Sequence, residues 1–153
     1  GELKMSEREH LAAEAMIRAG KAHRSYLEHR LNKNGLFRGQ HQVLMCVWKN
    51  PGASQKELAG LHNVSTATMA VTLKKLGKSG YERRLDDQQD NRRNKIGLTE
   101  KGLAEVKASL KIFGETEHDM FAGFSEEEKE KVCEYLNRIR ENLERMQEGE
   151  VIR

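Results

Sequence analysis

The stretch that decides the fold runs Ser54-Gln55-Lys56-Glu57-Leu58-Ala59-Gly60-Leu61-His62-Asn63-Val64-Ser65-Thr66-Ala67-Thr68-Met69-Ala70-Val71-Thr72-Leu73-Lys74-Lys75-Leu76. Ser54 and Glu57 have the spacing of a capping box, in which each side chain satisfies the other residue's orphan amide. Leu58 and Leu61 then share one helix face. Only His62–Val64 separate this short helix from the next N-cap candidate, Ser65. Behind Ser65, Met69, Leu73 and Leu76 step by four and three along an inward face, and Ser79-Gly80 stops the helix. Two helices joined by so short a turn, the second opening with small polar residues, make a helix-turn-helix. Taken alone, the pattern also fits a small αα-hairpin.

The residues downstream narrow the choice. Tyr81–Leu85 reads as a short strand and Asp86-Asp87-Gln88-Gln89-Asp90-Asn91 as a polar turn. The basic run Arg92-Arg93-Asn94-Lys95 leads to a returning strand at Ile96 and Leu98. A hairpin with arginines near its tip, directly after a recognition helix, is a β-wing. Thr99 then caps a helix at Thr99-Glu100-Lys101-Gly102.

Working outward, Ser6 and Glu9 open a long first helix with Leu11, Ala15, Ala19, Ala22 and Tyr26 in an apolar stripe. Asn32–Gly35 ends it. A second helix is predicted from about Gln40 to Lys49, before the Pro51-Gly52 turn. On the far side, Leu103, Val106, Leu110 and Phe113 form one helical stripe. After Phe121–Phe124, Ser125 and Glu128 make another capping box. Val132, Leu136, Ile139, Leu143 and Met146 then keep a 4-3-4-3 rhythm, a seam that wants a partner helix. The expected fold is mainly α with a small β-wing: a winged helix-turn-helix between N- and C-terminal helices. Residues 5–37 hold the first helix, 38–100 the winged module and 101–153 the closing helices. Gly1–Lys4, ahead of Met5, read as a cloning remnant.

Of the 153 residues, 37% are hydrophobic and 33% charged, so much of the helical surface is solvated and a second subunit is expected to complete the core. The net charge is only +3, but it is unevenly spread. Basic outnumber acidic side chains nine to five in residues 1–50 and ten to six in 51–102, and are outnumbered eight to thirteen in 103–153. A face that grips phosphates needs such asymmetry. Cys46 and Cys133 have no metal or disulfide spacing and are expected to be buried structural thiols in a reducing cytoplasm. Neither a membrane span nor a signal peptide is legible.

Gln55-x-Glu57-Leu58-Ala59, Val64-Ser65, Leu76-x-x-x-Gly80, Glu82-Arg83, Asp90-x-Arg92 and Leu98-Thr99-x-x-Gly102 together resemble the multiple antibiotic resistance regulator (MarR) family. The resemblance implies a homodimer whose N- and C-terminal helices, 5–37 and 101–153, form the dimerisation lobe, while 38–100 binds DNA. It implies a near-palindromic operator, usually bound as a repressor released by a small phenolic ligand, an oxidant or a metal. The sequence departs from the family pattern twice. Tyr81 alone stands between Gly80 and Glu82, where the family has two residues. Ala70-Val71 stand where many members carry Thr-Arg.

The residues expected to meet double-stranded DNA are Ser65, Thr66, Ala67, Thr68, Ala70, Val71 and Lys74 on the recognition helix, whose competing reading is a solvated face. Ser54, Gln55 and Lys75 would position phosphates. Arg92 is suited to a narrow minor groove, with Asp90 orienting it and Arg93, Arg83 and Arg84 near phosphates. Leu11, Ala15, Phe113, Phe121, Phe124, Leu136, Ile139 and Leu143 would form the dimer interface. A metal-responsive reading, with His23 or His41 meeting His118, is the minority one, as is redox sensing at cysteine; no cofactor or metal is expected. An enzyme is disfavoured, since no nucleophile elbow, phosphate loop or metal quartet is present. A winged protein-interaction module without DNA binding remains an alternative, disfavoured by Arg92, Arg93 and Lys95.

Overall fold

Hydroxyl side chains set the helix starts. The Ser6 Oγ accepts the Glu9 N–H at 3.4 Å, and Ser54, Ser65 and Thr99 accept the N–H three residues on at 3.1, 3.1 and 3.0 Å. At Ser125 the box is reciprocal: Ser125 Oγ accepts the Glu128 N–H at 3.1 Å, and the Ser125 N–H donates to Glu128 Oε1 at 2.9 Å. The computed structural model describes residues 6–31, 36, 38–85 and 95–152. Their elements are α1 (Glu7–Leu31), α2 (Arg38–Lys49), α3 (Gln55–Leu61), α4 (Thr66–Lys78), β1 (Glu82–Leu85), β2 (Lys95–Leu98), α5 (Glu100–Met120) and α6 (Glu126–Ile152).

The ends of α3 and α4 share one device. After α4, the Gly80 N–H donates to the Gly77 carbonyl at 3.0 Å and the Tyr81 N–H to the Leu76 carbonyl at 2.9 Å. This paired closure needs a left-handed residue at its centre, and Gly80 supplies it at φ 81°. After α3, Asn63 takes the same role at φ 56°, with Val64 N–H on the Ala59 carbonyl at 3.0 Å. Asparagine tolerates that backbone region better than most residues. The helix-turn-helix angle therefore rests on Asn63, and the entry into the wing on Gly80.

The chain divides into two compact units, residues 1–114 and 115–153. In the first, Val43, Leu44 and Val47 of α2, Leu58 and Ala59 of α3, and Met69, Leu73 and Leu76 of α4 form one core. Tyr81, Ile96 and Val106 join it, with Leu36 and Ala53. β1 and β2 pair antiparallel, Glu82 opposite Leu98 and Leu85 opposite Lys95. The Ile96 N–H also donates to the Ala53 carbonyl at 3.0 Å, which ties the sheet to the chain just ahead of α3. α2 starts at Arg38, two residues before the sequence expectation.

On α1 Leu31 alone is buried; the stripe residues Leu11, Ala15, Ala19, Ala22 and Tyr26 are all exposed in the single chain. In the second unit, Tyr135, Leu136, Ile139, Leu143 and Met146 of α6 are all exposed. Phe121 and Phe124 stack edge to face there, ring centroids 5.6 Å apart. Among the described residues, no helix is long and apolar enough to cross a membrane.

Candidate nucleic-acid interface

Burying Met69, Leu73 and Leu76 fixes what α4 shows to solvent. At 100° per residue, Ala67, Val71, Lys74 and Lys78 lie opposite the buried trio, with Lys75 beside them. All five are exposed, and Thr66 and Thr68 with them; Ala70 is half-buried on the flank. The first two turns thus present methyl and hydroxyl groups, and the last two present three ammonium groups. Lys78 was not anticipated, although its i+4 spacing from Lys74 puts it on the same face.

The start of α3 lies next to the wing. The Arg84 Nη2 donates to Gln55 Oε1 at 3.3 Å, so two residues 29 apart in sequence share one surface. Arg83 is exposed beside Arg84. The Ser54 hydroxyl is engaged within its own helix start: it accepts the Glu57 N–H and donates to Glu57 Oε1 at 3.1 Å. Lys56 is exposed on the same short helix. Asp90, Arg92 and Arg93, expected at the wing tip, lie outside the described residues.

The root of the wing explains Leu98-Thr99-x-x-Gly102. The Thr99 N–H donates to the Tyr81 carbonyl at 3.2 Å, and the Thr99 hydroxyl donates to the Gly80 carbonyl. A Cβ on Gly102 would overlap the Tyr81 carbonyl oxygen, so only glycine lets α5 start this close to the strand. Lys101 extends its ammonium over the Tyr81 ring, 4.5 Å from the centroid, and donates to the Ser79 carbonyl at 2.6 Å. Among the described residues, the register of β1 against β2 runs unbroken from Glu82, directly after the single residue that follows Gly80. Tyr81 closes the helix with its N–H and joins the strand entry with its carbonyl. Glu82, next in line, lies over Gly77 with its Oε2 buried and without a partner among the described residues. Burial pushes the Glu82 carboxyl above its ordinary value, against the pull of Arg84.

His41 is a core residue: its Nε2 stands 3.3 Å from the Leu31 carbonyl, and its Nδ1 stands 3.3 Å from Ser109 Oγ. Burial holds its pKa below the ordinary value, offset in part by the Leu31 carbonyl and Glu105. Among the described residues no group of three or more His, Cys, Asp or Glu could hold a metal ion. Cys46 is half-buried against the core, and burial raises its pKa. The expectation of burial fails for Cys133, which is exposed on α6 beside Asn137, whose Nδ2 lies 3.5 Å from the sulfur. Leu136, one turn on and on the same face, is exposed with it, so that face of α6 is uncovered in the single chain.

The comparisons with known proteins agree with this geometry. The MarR family profile matches residues 36–93. The HTH-type transcriptional regulator YybA of Bacillus subtilis, itself uncharacterized, is 38% identical over 111 residues, covering 72% of this chain and 73% of YybA. Among solved structures, a point mutant of MepR from S. aureus aligns with a TM-score of 0.75 at 25% identity, over 86% of this chain and 97% of MepR. A second MepR mutant, bound to an oligodeoxyribonucleotide, aligns at 0.65, 25% identity, 86% and 97%. MepR bound to ethidium bromide aligns at 0.66, 25% identity, 86% and 95%. The protein is a winged helix-turn-helix regulator, a mainly α fold with a small two-stranded sheet. It belongs to the MarR family of DNA-binding transcriptional regulators, and is not an enzyme.

Proposed function

We propose that this chain is a homodimeric repressor that binds a near-palindromic operator and is released by a small-molecule or stress signal. The observation that carries the DNA-binding part is the outer face of α4, where Ala67, Val71, Lys74, Lys75 and Lys78 stand exposed opposite the core. Gln55, Arg84 and Arg93 hold phosphates beside it, and Arg92 enters the minor groove from the wing, Asp90 orienting its guanidinium. Dimerisation is supported by the exposed apolar seam of α6, Leu136, Ile139, Leu143 and Met146, together with Leu11 on α1. Residues 5–37 and 101–153 form the dimer lobe, with Ala15, Phe113, Phe121 and Phe124 in its interface. A small-molecule effector is in keeping with the structure of the similar MepR bound to ethidium bromide. Such a regulator works beside the chromosome, in the cytoplasm. A mobility-shift titration on the DNA upstream of its own gene tests the proposal: saturable, sequence-selective binding of one dimer per site is expected, and binding indifferent to sequence would refute it.

A further inference from the structure

We infer that α4 reads its operator half-site mainly through thymine 5-methyl groups, with Val71 as the residue that recognises them. The inference rests on the DNA-binding reading above and deepens it.

The major-groove edge of a base pair offers hydrogen-bond donors, acceptors and one apolar group, the thymine methyl. Guanine is read by arginine or lysine, adenine by a side-chain amide, and cytosine by a carboxylate. The sequence of α4, Thr-Ala-Thr-Met-Ala-Val-Thr-Leu-Lys-Lys-Leu-Gly-Lys, holds no arginine, amide or carboxylate, and no lysine before Lys74. Its hydroxyls are partly engaged already. Ser65 Oγ donates to Thr68 Oγ1 at 2.8 Å while capping the helix, and Thr72 Oγ1 donates to the Thr68 carbonyl at 3.3 Å. The lysines sit in the last two turns, as befits phosphate contacts. That leaves the two methyls of Val71, 56% exposed at the centre of the outward face, flanked one turn earlier by the Ala67 methyl. Small neighbours let the helix backbone approach closely, so a short apolar side chain can reach a methyl group in the groove. A lone exposed valine is ordinary on a protein surface. On a groove-facing helix with no other base-reading group in its second turn, its chemistry selects thymine.

The test starts from duplexes that the full-length protein selects out of a random-sequence pool. Each thymine of a selected half-site is replaced in turn by deoxyuridine, which lacks the methyl and keeps every hydrogen-bonding group. At one or two positions binding should weaken about fourfold, the value of one buried methyl-sized group. In the Val71→Ala protein that thymine-over-uracil preference should fall to about one. The substitution places a better helix former at an exposed site, so the fold is retained. If selective binding persists but no deoxyuridine weakens it, or the Val71→Ala protein keeps the same preference, the thymine reading is overturned while DNA recognition stands. If the pool yields no selected sequence, both readings fall.

Discussion

The carboxylate of Glu82 lies over Gly77: a Cβ built on Gly77 would stand 2.6 Å from Glu82 Oε1. The contact joins the last turn of the recognition helix to the first residue of the wing. It places a negative charge, with one buried and unpartnered oxygen, near a helix C-terminus, where the backbone carbonyls are already negative.

Glu82 should therefore weaken the fold at neutral pH. The folded state holds this proton more tightly than the unfolded chain does, so the stabilisation is complete below the ordinary glutamate value of 4.5 and is lost as pH rises through the raised one. Glu82→Gln keeps the shape and removes the charge. It should gain about 1 kcal/mol at pH 7.5, with little gain at pH 4.5. Urea unfolding at fixed protein concentration reads this directly. Equal stability of the two proteins at pH 7.5 would show that the carboxylate is adequately solvated.

His41 gives the opposite sign. Burial favours the neutral ring, and above the ordinary value of 6.5 both folded and unfolded states are neutral there. Below 6.5 the unfolded chain takes up a proton that the fold resists, so stability falls as pH drops. His41→Gln loses packing, so its absolute stability decides nothing. The slope of stability between about pH 6.5 and 5 should become shallower. An unchanged slope would assign the acid sensitivity to other groups.

Gly102→Ala should destabilise by about 1–3 kcal/mol or more, the usual penalty of overpacking, because the added methyl meets a fixed backbone carbonyl. Thr99→Ala should lose about 1 kcal/mol, that of a helix cap. Thermal unfolding ranks the two. A harmless Gly102→Ala would mean that α5 can start further from Tyr81 than it does.

Much of this was legible because it is local chemistry. Ser54, Ser65, Thr99 and Ser125 mark helix starts through bonds to residues three positions on, and Gly80 marks an end through bonds within six residues. Those signals also fixed α4 and hence its outward face. The rest depends on distant parts of the chain. Nothing near Gln55 announces that Arg84 will meet it, and His41 is held by Leu31 and Ser109 across the core. Cys133 sits among apolar letters yet faces out. Glu82 is buried over Gly77 through a contact between the end of α4 and the start of β1, which no local pattern around Glu82 announces.

The lysines of α4 should act through phosphate alone. Lys75→Ala and Lys78→Ala should each lower the slope of log affinity against log salt by about one, with similar losses on all duplexes. A loss confined to particular sequences would make either lysine a base reader instead.

That α4 and the wing grip DNA together is tested most directly by titrating the full-length protein and its Arg92→Ala variant against one selected duplex at fixed salt. The parent should bind selectively, and the variant should lose about tenfold or more in affinity, the range of a good arginine contact. Equal affinity of the two proteins for that duplex would show that the wing takes no part in the grip.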